Sequence, residues 1–386
     1  MKKVISSERL PIKMWLEDLE EAAIGQAKNL ANLPFAFKHI PIMPDSHTGY
    51  GMPIGSVLAT KGVVVPNAVG VDIGCGMCAQ RTSLTEITKD ELKKVLGVAR
   101  GLIPVGFNSH SEQQDVSLMP EGYEELEFVS KGYEKATFQI GTLGGGNHFV
   151  EIQKGSDGHV WVMIHSGSRN LGHSVASHYN KVAIGLNEKY HSSVTKEMQL
   201  AFLPLETDEA QAYVSEMEYC VEFALANRQL MMNRMMEALV EVKGDFEMDE
   251  LINESHNFAA WENHFGENVY VHRKGATRAF DGELGMIPGS QGSRSYIVRG
   301  LGNKESFMSC SHGAGRKLGR KKAQQELDLE SEIKHLEDMG VVHAIRHVQD
   351  LDEATGAYKD IDMVMENQTD LVDIVVELKP LAVLKG

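Results

Sequence analysis

Residues Ile40–Thr82 have the sequence IPIMPDSHTGYGMPIGSVLATKGVVVPNAVGVDIGCGMCAQRT, which is rich in Gly, Pro, Val and Ile. Short runs of β-branched residues bounded by glycine and proline predict short strands joined by tight turns. On either side of this stretch, at Leu16–Leu33 and Thr88–Gly101, the apolar residues have helical spacing. This arrangement predicts an α+β fold with a mixed β-sheet core and peripheral helices.

The rest of the chain also divides into segments of helical and strand character. Tyr213–Val242 has the strongest helical periodicity, and its methionine stripe is typical of core packing. Residues with possible catalytic or metal-binding roles recur from residue 45 to the C-terminus. This distribution favours a single domain that spans residues 1–386, with a helical insertion at about 177–243. The remaining predictions, in chain order, are strand, glycine turn and strand at Gln139–Ile152, a strand at Val160–His165, strands and glycine turns at Asn268–Arg299, one charged helix at Lys317–Met339, and a last helix at Thr369–Glu377 before a short tail at Leu381–Gly386.

Composition narrows the functional class. The formal net charge of −16 argues against a protein that coats nucleic acid non-specifically, because such binding depends on phosphate neutralisation. A local basic groove remains compatible with that charge, although a solvated surface is the ordinary interpretation of basic residues. The basic residues concentrated in the C-terminal half are Arg273, Lys274, Arg278, Arg294, Arg299, Arg316, Lys317, Arg320, Lys321 and Lys322.

Targeting features are missing from the pattern. Residues Met1–Leu10 contain no apolar segment typical of a signal peptide, and no apolar run is long enough to span a bilayer. Four cysteines in 386 residues do not make a disulfide framework. We therefore expect a soluble cytoplasmic protein with reduced thiols.

The segment Pro66–Cys78, PNAVGVDIGCGMC, places Asp72 and Cys75 among three glycines. A carboxylate and a thiolate held on such a flexible backbone could share a metal ion. Cys75 and Cys78 also form a CxxC pair, which leaves a redox or zinc role open. A zinc site normally needs a second Cys or His pair nearby, and a thioredoxin-like motif normally opens a helix. We therefore interpret Cys78 as a buried small hydrophobe.

Four later glycine-rich or polar segments carry histidines. GTLGGGNHFVE (Gly141–Glu151) lacks the lysine of a P-loop and the spacing of a dinucleotide-binding motif, but it presents Asn147, His148 and Glu151. His165 closes an apolar strand, and His256 lies in NESHNF. Each histidine alone is more often structural than catalytic. Together with Asp72 and Cys75 they offer oxygen, sulfur and nitrogen donors, which indicate a transition-metal site without specifying the ion.

The last such segment is SCSHGAGR, Ser309–Arg316. His312 lies on a loop of small residues with Arg316 close by. An imidazole in this setting could act as a base, a metal ligand or a nucleophile. Positive charge and a metal ion would stabilise a phosphate leaving group.

The motifs taken together resemble the RtcB family of RNA ligases from about residue 40 to the C-terminus. About ten motifs occur in order, so the resemblance does not depend on any one of them. The motifs that carry it are MPDSHTGYGMPIG, VGVDIGCGM, GTLGGGNHFVE, HSGSRNLGH, HNFAAWENHFGE, RKGA, IPGSQGSRSYIVRGLGN, SCSHGAGR, AYKDID and the terminal Leu384-Lys385-Gly386.

The resemblance implies a role for each matching residue. It implies that Cys75 bridges two manganese ions and that His148 binds one of them. It also implies that His312 is the nucleophile that receives GMP from GTP. The other implied metal ligands are Asp72, His165 and His256. The residues implied to bind the guanine nucleotide are Asn147, Glu151, Ser290, Ser295, Gly313, Ala314, Gly315, Tyr358 and Lys385.

The resemblance also implies the reaction. GMP passes from the histidine to an RNA 3′-phosphate, after water has opened any 2′,3′-cyclic phosphate. The 5′-hydroxyl of a second RNA end then attacks, and GMP leaves. An archease-like activator is a further expected partner. Three alternatives remain: a metal-dependent cyclic phosphoesterase that does not ligate, a non-catalytic RNA- or ribosome-associated factor, and a CxxC redox protein.

The chain departs from the family's commonest pattern at several points. It is short, GGGN stands where GTGN is frequent, and Cys78 replaces a common hydrophobe. No departure removes an implied ligand or the implied nucleophile. The departures indicate a divergent subgroup with a specialised repair substrate.

Overall fold

The structure, a computed structural model, describes residues 1–386 and combines two large β-sheets with helices on their outer faces. The strands are β1 (Lys3–Ile5), β2 (Ile12–Met14), β3 (Ile40–His47), β4 (Ile54–Thr60), β5 (Val63–Val64), β6 (Gly76–Arg81), β7 (Phe149–Gly155), β8 (Val160–Ser166), β9 (Leu203–Pro204), β10 (Ile252–Ser255), β11 (Asn257–His264), β12 (Glu267–Lys274), β13 (Ala276–Arg278), β14 (Leu284–Ile287), β15 (Ser295–Gly300), β16 (Ser309–Ser311) and β17 (Val372–Lys385). The α-helices are α1 (Glu21–Asn32), α2 (Pro66–Val69), α3 (Lys89–Leu102), α4 (Glu127–Thr137), α5 (Arg169–Lys189), α6 (Asp208–Lys243), α7 (Arg320–Glu326), α8 (Leu329–Asp338) and α9 (Ile361–Glu366).

The first sheet has six strands in the order β1-β2-β3-β4-β12-β11, and only β2 and β3 are parallel. The second sheet has seven strands in the order β10-β6-β8-β7-β17-β15-β14, all antiparallel to their neighbours. Strands of both sheets, with β16 close by, contribute to one apolar cluster that includes Met43, Val57, Val271 and Val298. The ends of these strands therefore lie close enough to build a shared site.

Helices α3 and α6 cover the other face of the seven-stranded sheet. Val95 of α3 and Met232 of α6 are fully buried in one cluster with Val150, Val162 and Ile164 of the sheet. This burial removes apolar side chains from water and fixes the strands that carry the site. The predicted core role of the methionine stripe is confirmed, because its four members are 0–5% exposed: Met231, Met232, Met235 and Met236.

The α+β class and the mixed-sheet core with peripheral helices are confirmed. The predicted helix at Thr88–Gly101 agrees closely with α3, whose first turn has a capping box formed by Thr88 and Glu91. The helical pattern expected from about 177 begins earlier, at Arg169. None of the helices combines the length and the apolar composition that a bilayer crossing requires.

Two of the helix predictions are wrong. Thr369–Glu377 and the tail after it are not helix and coil, because β17 runs from Val372 to Lys385 between β7 and β15. Lys317–Met339 is not one helix, since it breaks at Leu327 and Asp328. The Asp328 carboxylate accepts a hydrogen bond from the Ser331 N–H at 2.8 Å and so caps a second helix.

The predicted strand at the start of Gln139–Ile152 is also absent. The backbone N–H groups of Gly141 and Thr142 donate to the Asn227 side chain at 2.7 and 3.1 Å. A side chain of α6 thus replaces the partner strand that a β-strand would need. Only the second part of the segment, from Phe149, is a strand.

Candidate active site

The main cavity lies where the ends of both sheets meet, and its volume is about 730 Å³. It brings together predicted site residues that are up to 313 positions apart in the chain, from Asp72 to Lys385. The predicted site residues that line it are Asp72, Cys75, Asn147, His148, Glu151, His165, His256, Ser290, His312, Gly313, Ala314, Gly315, Tyr358 and Lys385.

The thiol of Cys75 lies at the centre of a cluster of metal-ligand atoms. Its Sγ atom is 3.4 Å from Nε2 of His148 and 3.2 Å from Nε2 of His165. On one side His148 Nε2 is 3.1 Å from Asp72 Oδ2, and on the other His165 Nε2 is 3.3 Å from His256 Nε2. The cluster thus has two halves that share the thiol.

Local structure aims these rings. His165 closes β8, and its Nδ1 lies 3.1 Å from the Asn147 carbonyl oxygen. An Nδ1–H that donates to this oxygen leaves the lone pair of Nε2 directed into the cluster. His148 needs Gly144 beside it, because a Cβ there would lie 2.0 Å from His148 Nδ1.

The donor set fits a cation. Burial, with Asp72 close by, raises the pKa of the Cys75 thiol well above its ordinary value. Burial and nearby cationic groups hold the pKa values of His165 and His256 well below the ordinary histidine value. The Cys75 sulfur and the Nε2 atoms of His165 and His256 meet at 3.2–3.3 Å, and these atoms can direct lone pairs toward a common point. A bound metal ion would satisfy these lone pairs and lower the pKa of the thiol.

His312 stands next to this cluster, with its ring centroid 4.8 Å from that of His256. Its Nδ1 lies 2.6 Å from Oδ2 of Asp45, a residue of β3 whose side chain is fully buried. The same carboxylate oxygen accepts the His312 backbone N–H at 3.0 Å. Burial raises the pKa of Asp45, but His312 and Lys359 outweigh it and hold the pKa below its usual value. Asp45 therefore fixes the ring and leaves Nε2 free to react.

The loop after His312 packs directly on β3. Gly315 has φ +72°, and a Cβ at this position would lie 2.0 Å from the Asp45 carbonyl oxygen. Only glycine combines this backbone conformation with such a close approach. The small residues of SCSHGAGR thus bring the histidine to its carboxylate partner.

The far end of the cavity is organised around Glu353. Its carboxylate is 2.9 Å from Nη1 of Arg316 and 2.9 Å from Nε of Arg320, and it accepts a hydrogen bond from the Tyr358 hydroxyl. Burial raises the pKa of Glu353, but Lys385 and Arg316 outweigh it and hold the pKa below its ordinary value. We call Glu353, Arg316, Arg320, Tyr358 and Lys385 the carboxylate hub.

Two predicted nucleotide contacts have distinct surroundings. Glu151 lies on β7, and burial raises its pKa to about 8. Ser295 does not line the cavity. It is buried on β15, where its Oγ accepts hydrogen bonds from the Gly289 N–H and the Gln153 side chain, both at 3.2 Å. Ser295 thus supports the Pro-Gly-Ser turn that carries Ser290.

Several functional side chains were missed from the sequence. Asp45 lies in a quoted motif, but nothing in the local pattern connects it with His312, which is 267 residues away. The solvated-surface interpretation is wrong for Lys274 and Arg316, which line the cavity and are largely shielded from solvent, whereas Arg320 lines the cavity with an exposed side chain. Lys274 is buried, donates to the backbone oxygens of Tyr50 and Asn67, and has a pKa lowered to about 7 by burial.

The two motif cysteines differ in the way the sequence predicts. Cys78 is fully buried in the apolar cluster beneath β6, and both cysteines are free thiols. The Sγ atom of Cys78 is 3.8 Å from the Arg228 carbonyl oxygen. Cys75 alone faces the cavity.

Comparison with known proteins gives a consistent result. Residues 26–386 match the sequence model of the family described as "tRNA-splicing ligase RtcB". The chain is 38% identical to the RNA-splicing ligase RtcB of Escherichia coli K12, with 100% of this chain and 99% of that protein covered. It is 32% identical to the tRNA-splicing ligase RtcB of Thermococcus kodakarensis, with 98% and 95% covered, and 32% identical to that of Nanoarchaeum equitans, with 100% and 95% covered.

Proposed function

Because this chain belongs to the RtcB family of tRNA-splicing ligases, we propose that it joins RNA 3′-phosphate or 2′,3′-cyclic phosphate ends to 5′-hydroxyl ends. The proposed reaction consumes GTP, depends on manganese and passes through a histidine–GMP adduct. The observation that carries the proposal is the position of His312, oriented by Asp45, beside a cluster of five metal-ligand side chains.

The chemistry begins at His312. With Nδ1–H donated to Asp45, Nε2 attacks the α-phosphorus of GTP, an N–P bond forms, and pyrophosphate leaves. The negative charge of Asp45 stabilises the ring as it becomes cationic. Arg316 and Arg320 also line the cavity and would hold phosphate oxygens.

Two transfers complete the reaction. An oxygen of the RNA 3′-phosphate attacks the phosphorus of the adduct, and the N–P bond breaks, which returns the lone pair to His312. The 5′-hydroxyl then loses its proton to solvent as its oxygen attacks the RNA phosphorus, the 3′,5′-phosphodiester forms, and GMP leaves with the electron pair. A cyclic phosphate must first be opened by water to give the 3′-phosphate.

The metal would be held by the two halves of the cluster. Asp72 and His148 form one half, His165 and His256 form the other, and the Cys75 thiolate is shared. We propose two manganese ions, which when bound supply Lewis-acid stabilisation of the phosphate oxygens. The protein's part is to keep the ring nitrogens aimed and the thiol buried.

The guanine nucleotide would occupy the remaining length of the cavity. Asn147, Glu151 and Ser290 line one part of it, and Gly313–Gly315 line the part next to His312. Tyr358 and Lys385 come from the carboxylate hub, where a triphosphate would meet Arg316 and Arg320. We also propose an archease-like activator as a partner. The proposed function does not involve a membrane.

The domain organisation is proposed along with the function. Residues 1–386 would act as one ligase domain, with the helical part at about 177–243 as an insertion that supports the sheet. We place the enzyme in the cytoplasm, where reduced thiols and GTP are available.

The test is transfer of label from α-labelled GTP to the protein in the presence of manganese. We expect an acid-labile, alkali-stable phosphoramidate on the wild-type chain and complete loss of the label in His312→Ala. The exposed His173→Ala serves as a matched control and should label normally. Manganese content should stay the same in both variants.

Two outcomes would contradict the proposal. Label retained in His312→Ala would remove the residue from its role. Opening of cyclic phosphate ends by a wild-type chain that never accepts label would favour the phosphoesterase alternative. RNA substrates with defined ends then decide whether the adduct leads to joined product.

A further inference from the structure

Phe107 is the most exposed large apolar side chain of the protein, with a relative exposure of 105%. Single exposed apolar residues are common on protein surfaces, so exposure alone has no functional meaning. Three further observations distinguish Phe107: its position beside the cavity, the anchoring of its loop, and the cations next to it.

The position follows from contacts of the preceding residue. A Cβ built on Gly145 would lie 3.9 Å from the Cα of Gly106, and Gly145 lines the cavity. A Cβ on Gly386 would lie 3.1 Å from the Gly106 nitrogen, and Lys385 also lines the cavity. Consecutive Cα atoms are about 3.8 Å apart, so Phe107 stands beside the mouth of the cavity, although it is not one of the lining residues.

The loop under Phe107 is held on both sides. Nη2 of Arg169 donates to the Gly106 carbonyl oxygen at 2.6 Å, and the Leu143 N–H donates to the Pro104 oxygen at 2.9 Å. The backbone and the side chain of Asn108 both donate to the Val105 oxygen, at 3.2 and 3.1 Å. These contacts fix the backbone while the ring faces solvent, so the order needed for binding is already present.

Two arginines flank the glycine loop at residues 144–146, which lies next to the loop that carries Phe107. A Cβ on Gly144 would lie 2.5 Å from Nη1 of Arg169, and a Cβ on Gly146 would lie 2.5 Å from Nη2 of Arg320. A flat apolar ring next to cationic groups is the arrangement by which proteins bind single-stranded nucleic acid, with bases stacked and phosphates neutralised.

We propose that Phe107 is a stacking platform for a base near the end of the RNA strand that carries the 3′-phosphate. The glycine loop leads directly into Asn147 and His148, so a terminal phosphate at the metal cluster places the adjoining bases at this mouth. The strand bearing the 5′-hydroxyl is the other possible occupant, and the experiment separates the two. The proposal rests on the proposed function for the identity of the strand.

The test is equilibrium binding of short, dye-labelled RNA oligonucleotides to the manganese-loaded protein, followed by fluorescence anisotropy. Phe107→Ala should raise the Kd for a 3′-phosphate oligonucleotide by about 5- to 150-fold, as expected for loss of one stacked base. Phe107→Trp should restore binding, whereas Phe107→Leu, which is apolar but not flat, should not. Tyr190→Ala, which removes an exposed aromatic ring at the C-terminal end of α5, should leave the Kd unchanged.

Oligonucleotides with an abasic site provide a second arm. Removing the base that stacks should weaken binding to the wild-type protein and have no further effect in Phe107→Ala. An equal Kd for wild type and Phe107→Ala would overturn the proposal, and so would a loss confined to 5′-hydroxyl oligonucleotides without a 3′-phosphate. GTP labelling of the protein is measured separately, so failure of the proposed function would not be mistaken for failure of the platform.

Discussion

The two ends of the cavity are built from opposite kinds of contact. At one end, ligand atoms of Cys75, His148 and His165 lie within 4.8 Å of one another, and each presents a lone pair. At the other end, the carboxylate of Glu353 accepts from two guanidinium groups and a hydroxyl, so opposite partners already neutralise one another.

This difference separates what each end requires. The metal-ligand end gathers three potential ligand atoms around one point, and a cation there would satisfy their lone pairs. The carboxylate hub is complete by itself, so an incoming phosphate must compete with Glu353 for Arg316 and Arg320. The metal-ligand end therefore favours a cation, and the carboxylate hub determines how readily an anion binds.

The largest expected effect comes from removing the shared thiol. Cys75→Ala should abolish ligation and lower manganese affinity by at least about 100-fold, since even outer partners of a metal site are worth 10- to 100-fold. Metal content after dialysis and RNA joining are the measurements. Cys78→Ala is the matched control, because it removes a buried thiol outside the cavity and should retain metal. Normal manganese content in Cys75→Ala would contradict the role of the Cys75 thiol as a shared metal ligand.

A smaller effect is expected where the two ends meet, at Asp45. Asp45→Asn keeps the shape of the side chain but removes the charge that stabilises the His312 ring, and it should slow GTP labelling by about 100-fold or more. Single-turnover labelling at saturating GTP is the measurement. Asp338→Asn, which alters an exposed ion pair on α8, should label at the wild-type rate. Wild-type labelling by Asp45→Asn would show that the carboxylate does not act on the ring.

The third expected effect is on stability and not on rate, and it concerns the carboxylate hub. Glu353→Gln leaves Arg316 without its buried partner and should lower the free energy of unfolding by about 3 kcal/mol. Saturating GTP should recover most of this loss, because its phosphates replace the carboxylate. Urea unfolding with and without GTP tests this expectation. Glu326→Gln, in the exposed pair with Lys322, should change stability by less than about 0.5 kcal/mol.

A different result would change the interpretation. If Glu353→Gln were as stable as the wild type without nucleotide, the Glu353 carboxylate would not be needed to balance the charges of Arg316 and Arg320. If GTP failed to restore the lost stability, the phosphates would have to bind elsewhere in the cavity.

Sequence predicted the metal-ligand end better than the carboxylate hub. Asp72, Cys75 and His148 each lie in or beside a glycine-rich motif at a strand end, where sites commonly form, and the cavity brings them together. Glu353 lies in an unremarkable acidic segment, and only the fold places it against Arg320. An ion pair between distant segments leaves no periodic trace in a single sequence.

The missed elements have similar causes. Residues Thr369–Glu377 have apolar spacing that a helix accepts, but the Val and Ile content and two neighbouring strands favour β17. The break at Asp328 had a local signal, since Asp is a strong helix N-cap residue. The loop at Gly141 had none, because its hydrogen-bond acceptor is Asn227 on a distant helix.

Strand β17 has a consequence for the order in which the sheet is assembled. It inserts between β7 and β15, which have no direct pairing with each other, and it follows both of them in the chain. Until residues 372–385 are synthesised, the seven-stranded sheet stays in two parts and Lys385 is missing from the cavity. Contacts of such long sequence separation form slowly, so we expect the part of the cavity that holds Lys385 to be completed late in folding.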